Sequence, residues 1–96
     1  MADLTREEIV ITIDFAKQQQ EAPGVDFNGQ DLSGLDLSGL DFKCANFEGA
    51  NLSGTNLQGA TVWGASFKDA NIEGANFKDV ELIDVDMRGV KGVHLT

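Results

Sequence analysis

The chain has few of the residues that usually carry cross-links or chemistry. Among its 96 residues there is one cysteine, Cys44, so no disulfide can form within the chain and a reducing compartment is expected. There is one histidine, His94, and no second His or Cys accompanies it to hold a metal or activate a nucleophile. We interpret His94 as a surface residue and Cys44 as a tolerated small residue. The expectation is a protein that is not an enzyme and has no cofactor and no metal site.

Basic residues and long apolar runs are also scarce. Seven Lys and Arg stand against sixteen Asp and Glu, and the net charge of −9 argues against direct binding to nucleic acid or to an anionic membrane. No apolar run approaches the ~20 residues that span a bilayer, and the first residues lack the basic and then apolar pattern of a secretion signal. We therefore expect a soluble, cytoplasmic protein.

A single five-residue pattern fills most of the chain. From Val25 to His94 there are fourteen consecutive blocks, whose third residue is apolar in thirteen and whose fifth residue is Gly in nine. The exception at the third position is Gly92. Because each repeat must stack on its neighbours to bury its apolar side, this period predicts a solenoid. The predicted division is a segment at 1–24 followed by repeats at 25–94.

The alternation of side chains along an extended chain assigns a direction to each position in a block. The first and third residues face inwards and the second, mostly Asp or Asn, faces outwards, while the fourth and fifth form a corner that suits Gly or Asp. The second-position carboxylates of the first four blocks are interpreted as solvated groups that support turns, in preference to a metal site or an acid–base pair. They are Asp26, Asp31, Asp36 and Asp41.

Tandem blocks such as ANFEG at 45–49 and ANIEG at 70–74 resemble the pentapeptide-repeat family. The resemblance implies an all-β solenoid, a right-handed quadrilateral β-helix in which four blocks close one coil. It implies coils at 25–44, 45–64 and 65–84 and a partial coil after Val85, about three and a half in all, with an N-terminal capping α-helix. Many relatives are bacterial, especially cyanobacterial, with no established activity.

A twenty-residue coil would align the third positions in four inner columns. The columns are Phe27, Phe47, Phe67 and Met87; Leu32, Leu52 and Ile72; Leu37, Leu57 and Phe77; and Phe42, Val62 and Leu82. Gln30, Leu35 and Leu40 occupy first positions where the family prefers Ala, and we expect them to form a platform for whatever covers that end.

The segment before the repeats has helix signals and a competing strand pattern. Thr5 and Glu8 form a capping box, and Leu4 with Ile9 forms the matching hydrophobic staple, which predicts a helix from about Arg6 to Gln20. Its apolar stripe would be Ile9, Ile13 and Ala16, flanked by Val10. The alternative is a strand, because Ile9, Ile11, Ile13 and Phe15 alternate.

Two surfaces are candidate binding sites. Trp63 stands at an outward fourth position with Lys43 below it and Ile83 above it, which suits a protein-binding hot spot, although Trp63 could instead pack along the coil surface. The C-terminal end would show Val85, Met87, Val90 and Leu95, which suggests an end-to-end homodimer. The alternative there is local closure by residues 90–96.

These features favour a non-enzymatic, rigid, acidic scaffold that binds an unidentified protein, and a structural subunit of a larger particle fits equally well. The resemblance implies an alternative, since some members of the family mimic DNA, bind DNA gyrase and confer quinolone resistance. The negative charge agrees with that role. The short coil, ~17 Å at about 4.8 Å per turn, and the mixed column of Glu48, Lys68 and Arg88 do not.

Overall fold

A computed structural model describes residues 4–19 and 23–93 of the chain. One helix, α1, spans Arg6–Gln19. Residues 23–93 pair through single bridge residues separated by turns, so no strand in this part of the chain is longer than one bridge residue. None of the described residues forms a helix long and apolar enough to cross a membrane.

The bridges join residues that are twenty positions apart, and all of them are parallel. Asp26 pairs with Asn46, which pairs in turn with Ser66. Across one such pair the Phe27 N–H donates to the Asn46 carbonyl at 2.7 Å, and the Asn46 N–H donates to the Val25 carbonyl at 2.9 Å. Twenty residues therefore make one coil, and each coil has four sides of one block each.

We name the four sides by their blocks. Face A holds 25–29, 45–49, 65–69 and 85–89; face B holds 30–34, 50–54, 70–74 and 90–93; face C holds 35–39, 55–59 and 75–79; face D holds 40–44, 60–64 and 80–84.

Each corner is built from the second, fourth and fifth residues of its block. In the first block the Asp26 carboxylate accepts the Asn28 N–H at 2.9 Å. The fifth residue lies in the left-handed region, as at Gly49 with φ 69°, which explains the preference for Gly. Four fifth positions reach the same region without Gly, and all but one are Asp: Cys44, Asp69, Asp79 and Asp84. The predicted turn chemistry is confirmed.

Phenylalanine rings stacked along the coil axis form the centre of the core. Phe47 lies between Phe27 and Phe67, with ring centroids 5.4 and 4.8 Å away, and Phe42 meets it edge-on at 5.1 Å. Among the described residues the buried polar side chain is Thr55, whose hydroxyl donates to the Leu32 carbonyl at 2.8 Å. Every third-position residue from Phe27 to Phe67 is buried, so the inner columns predicted from the twenty-residue period are confirmed over these blocks.

Two inward assignments were wrong. Leu82, expected in the fourth inner column above Val62, is 52% exposed. Within the described residues no block lies above it on face D, and the Val62 N–H does not donate to the Glu81 carbonyl. Gln30, expected in the platform at the first coil, is exposed, whereas Leu35 and Leu40 pack against the core as predicted. A polar amide gains more from water than from an apolar contact surface, so Gln30 stays outside.

Helix α1 lies against the first coil. Its start is the predicted capping box, in which the Glu8 N–H donates to the Thr5 hydroxyl at 3.2 Å and the Thr5 N–H donates to the Glu8 carboxylate at 2.9 Å. Ile9 and Ile13 are buried in the same apolar cluster as Phe27 and Phe42. The helix prediction is thus confirmed over the strand alternative, while Gln20 lies outside the described residues.

Two cations of α1 hold it to the coil. The Arg6 guanidinium donates to the carbonyls of Asp36 at 2.7 Å and Ser38 at 3.1 Å, which have no coil below them to pair with. The Lys17 ammonium lies 3.2 Å from the Asp41 carboxylate. Polar contacts at both ends of α1 thus fix which of its sides faces the core.

Candidate functional site

Face D differs from the other faces in its corner chemistry. On faces A, B and C, the second residue of every block from 26 to 86 accepts the N–H of the fourth residue through its side-chain oxygen. On face D, Asp41 does so with Lys43 at 3.0 Å. Thr61 and Glu81 replace Asp or Asn in the next two blocks of that face, and neither forms this bond with the residue two positions later.

The backbone ladder is also incomplete on face D. The Phe42 N–H donates to the Thr61 carbonyl at 2.7 Å, but within the described residues the equivalent bond from Val62 to Glu81 does not form. Pairing resumes one residue further on, where the Gly64 N–H donates to the Ile83 carbonyl at 3.0 Å. The block at 80–84 is therefore attached to the coil below mainly through its corner, and Leu82 does not pack against the core.

An apolar surface results, which we call the face D patch and define as Trp63, Leu82 and Ile83. These side chains are 43%, 52% and 44% exposed. Trp63 and Ile83 occupy equivalent fourth positions of successive coils, as predicted, with Lys43 at the same position below them. Sequence reasoning missed Leu82, and the signal that could have found it is Glu81, the long acidic residue at a position where Asp or Asn makes the corner.

Lys43 is part of an ionic group under the patch. Its ammonium lies 3.5 Å from the Asp41 carboxylate, which also meets Lys17. Burial acts to raise the pKa of Asp41, but the Lys43 N–H and the two ammonium groups outweigh it and leave the pKa lowered. Lys43 is thus held at the lower edge of the face.

Three of the four residues of the predicted dimer end lie in the described part of the chain. Val85, Met87 and Val90 are each partly buried and pack against the core. Leu95, the fourth residue of that prediction, lies outside the described residues, as does His94. The described part of this end is therefore a partly buried apolar surface formed by three of the four predicted residues.

The remaining candidates are Cys44 and the acidic corner residues. Cys44 is an exposed free thiol at a corner of face D. Within residues 4–19 and 23–93 no group of His, Cys, Asp and Glu is arranged to hold a metal ion, and no pocket is found. The second-position carboxylates bond within their own corners, as at half-buried Asp86, where hydrogen bonds from the Arg88 side chain and backbone lower the pKa to about 2.

The repeats match a family model described as pentapeptide repeats, in eight copies over residues 24–59 and 50–89. The chain therefore belongs to the pentapeptide-repeat family, whose fold is the right-handed quadrilateral β-helix. The bridges between residues twenty apart are those of a coil with four blocks per turn.

Several solved structures are similar to the chain. A pentapeptide repeat protein from the cyanobacterium Cyanothece 51142 is 29% identical over 71% of this chain and 50% of that one, with a TM-score of 0.49. HetL, involved in heterocyst differentiation regulation in the cyanobacterium Nostoc sp. strain PCC 7120, is 28% identical over 70% and 36%, with a TM-score of 0.32. QnrB1, a plasmid-mediated fluoroquinolone resistance protein, is 25% identical over 71% and 55%, with a TM-score of 0.28.

The chain thus spans about half the length of the Cyanothece protein and about a third of HetL. No curated protein matches the sequence.

Proposed function

We propose that this protein is a non-enzymatic scaffold that binds another protein through the face D patch. The observation that carries the proposal is the exposure of Trp63, Leu82 and Ile83 on a single face, the one whose corner bonds and ladder are incomplete. Contiguous exposed apolar side chains mark interaction sites on soluble proteins, and Trp is enriched among residues that dominate binding energy.

The rest of the fold supports this role by holding the patch rigidly. We propose about three and a half coils with α1 as the cap of the first, in keeping with bridges that run from Asp26 to Lys91 and with the burial of Ile9 and Ile13. A preorganised surface loses little conformational entropy on binding, which favours affinity. The net charge of −9 supports a protein partner over nucleic acid or an anionic membrane, and the single cysteine supports a cytoplasmic location.

Affinity capture from the source cell tests the patch. Wild type, Trp63→Ala and Gln58→Ala would be compared, since Gln58 occupies the same block position on face C of the same coil. We expect the partner to be lost with Trp63→Ala and retained with Gln58→Ala, after equal thermal unfolding curves show that both variants fold. A partner retained at wild-type level by Trp63→Ala would contradict the proposal.

We also propose an end-to-end homodimer through Val85, Met87 and Val90, with Leu95 as a further contributor. Their position in the last coil, where the core is only partly covered, supports it. Light scattering at tens of micromolar should give twice the monomer mass of 10.3 kDa, and removal of residues 90–96 should abolish the dimer. A monomer mass at that concentration would contradict it.

The second candidate function is a DNA-mimicking inhibitor or protector of DNA gyrase, which the net charge of −9 favours. Against it, Arg88 and Lys68 place positive charge in the same face A column as Glu48, whereas a duplex carries one sign. A supercoiling assay decides: inhibition or protection of gyrase at micromolar protein would replace the scaffold proposal, and no effect would remove this alternative.

A further inference from the structure

Helix α1 carries exposed apolar side chains on the side that faces away from the coil. Ile11 and Phe15 are 67% and 64% exposed, while Ile9 and Ile13 on the opposite side are buried. Residues four apart lie on the same side of a helix, so Ile11 and Phe15 form one stripe. We call it the outer stripe of α1.

The outer stripe cannot be buried by a rotation of α1. Arg6 is bound to the carbonyls of Asp36 and Ser38 near one end of the helix, and Lys17 is paired with Asp41 near the other. Rotation would break these contacts and expose Ile9 and Ile13. Lys, Gln and Glu favour a helix more than Ile and Phe do, so helix formation does not account for the two outer residues either.

The surroundings of the stripe are acidic. At 100° per residue, Glu7 precedes Ile11 by one turn and Glu8 precedes Phe15 by two turns, while Asp14 lies at the edge of the same side. All three are exposed. The two cations of the helix, Arg6 and Lys17, face the coil and its carboxylates instead.

We infer that the outer stripe of α1 is a second docking surface, separate from the face D patch, and that it takes an amphipathic helix whose apolar side chains are flanked by Lys or Arg. Apolar anchors four residues apart match the spacing by which amphipathic helices are recognised. A second copy of this chain would oppose acidic residues to acidic residues, and an anionic membrane would be repelled in the same way. Charge complementarity therefore selects a basic helical partner.

A synthetic helix provides the probe: a fluorescein-labelled peptide of about 18 residues with Leu on one side and Lys on the other. Because the net charge of −9 attracts any basic peptide, the deciding variant keeps that charge. Ile11→Gln with Phe15→Gln should weaken binding in fluorescence anisotropy about tenfold or more. Val93→Gln is the matched control, as an equally charge-neutral change at an apolar side chain that is 57% exposed and lies outside both surfaces, and should leave the affinity unchanged.

Isotope-labelled protein locates the peptide. We expect amide shift changes concentrated at residues 7–18, and weaker binding by at least about tenfold when the peptide Lys residues are replaced by Glu. Equal affinity of wild type and the double variant would overturn the inference, as would shift changes centred on face D.

Two further measurements exclude the other occupants. Sedimentation that showed self-association abolished by the double variant would assign the stripe to a second copy, and flotation with phosphatidylglycerol vesicles that depended on Ile11 and Phe15 would assign it to a membrane. Either result would overturn the inference. Neither would bear on the face D patch, which the Trp63→Ala capture tests separately.

Discussion

The inner coils and the last stretch of the chain have the same repeat but different burial. Leu52 and Ile72 occupy the same position in ANLSG and ANIEG blocks of face B, yet Leu52 is fully buried and Ile72 only partly so. Leu52 lies between Leu32 and Ile72, whereas the residue above Ile72 is Gly92, which has no side chain. Burial in this fold is therefore set by the blocks above and below rather than by the block itself.

We expect the largest change in the free energy of unfolding from removal of a phenylalanine ring in each region. Phe47→Ala should cost about 3–5 kcal/mol in the free energy of unfolding, because the ring is fully buried between two others. Phe77→Ala, at a partly buried site, should cost about half as much. Urea unfolding followed by circular dichroism gives both values. Equal losses would show that the coil at 65–84 is packed as firmly as the coil at 45–64.

A glycine with positive φ in each region provides the second test. Gly49→Ala should cost about 1–2 kcal/mol in the free energy of unfolding, since φ is 69° and the site has open space. Gly92→Ala would place a Cβ 2.5 Å from the Glu73 backbone nitrogen and displace the last described residues. Hydrogen exchange should then show faster exchange of the Ile72 amide, which donates to the Lys91 carbonyl at 2.9 Å. Unchanged exchange at Ile72 would contradict this.

A restored corner bond on face D should make the coil at 65–84 more like the coils below it. Glu81→Asn introduces the side chain that accepts the fourth-position N–H elsewhere, as Asn51 does from Ser53 at 3.1 Å. One such hydrogen bond should raise the free energy of unfolding by about 0.5–1.5 kcal/mol. Glu81→Gln is the control, because it removes the charge without shortening the side chain. An equal gain from both would assign the effect to charge.

We expect the smallest effect on stability from a lowered pH. Hydrogen bonds from the Ser38 hydroxyl and N–H, with the Arg6 charge, lower the pKa of Asp36 below its ordinary 3.8, and Arg88 lowers that of Asp86 to about 2. Because the folded-state pKa lies below that of the unfolded chain, these carboxylates stabilise the fold above about pH 4, and this stabilisation is lost as the pH falls towards 2.

Asn at either site keeps the corner bond but not the charge, as Asn56 does for Gln58 at 3.0 Å. Asp36→Asn and Asp86→Asn should therefore each reduce the loss of thermal stability between pH 7 and pH 2. Asn71→Asp, the reverse change at a corner that accepts the Glu73 N–H at 3.0 Å and is bridged to Asn51 and Lys91, should increase it. An unchanged pH profile in all three variants would show that these corners make no contribution to acid sensitivity.

The sequence predicted the features that depend on residue spacing and on local side-chain chemistry. The stacking of Phe27, Phe47 and Phe67, the helix start at Thr5 and the outward exposure of Trp63 all follow from spacing and local chemistry. The sequence did not predict the exposure of Leu82. The five-residue pattern assigns every third position to the inside, and it contains no information on the backbone hydrogen bonds to the coil below.

The outer stripe of α1 was missed for a related reason. Ile11 and Phe15 entered the sequence reasoning only as part of a strand alternation with Ile9 and Ile13, and a helix separates these two pairs onto opposite sides. The predicted stripe of Ile9 and Ile13 is the side that meets the coil. The contacts that keep the other side outside join Arg6 and Lys17 to residues 24 to 32 positions away, and local spacing does not contain them.

Because each block makes its own corner and pairs only with blocks twenty residues away, the fold responds to insertions by a counting rule. Twenty added residues would extend the column of rings by one member and leave every later residue on its own face. Five added residues would advance every later residue by one face, so that Phe67 would no longer lie over Phe47. Lengthening by whole windings is therefore the change this architecture accommodates with least disturbance.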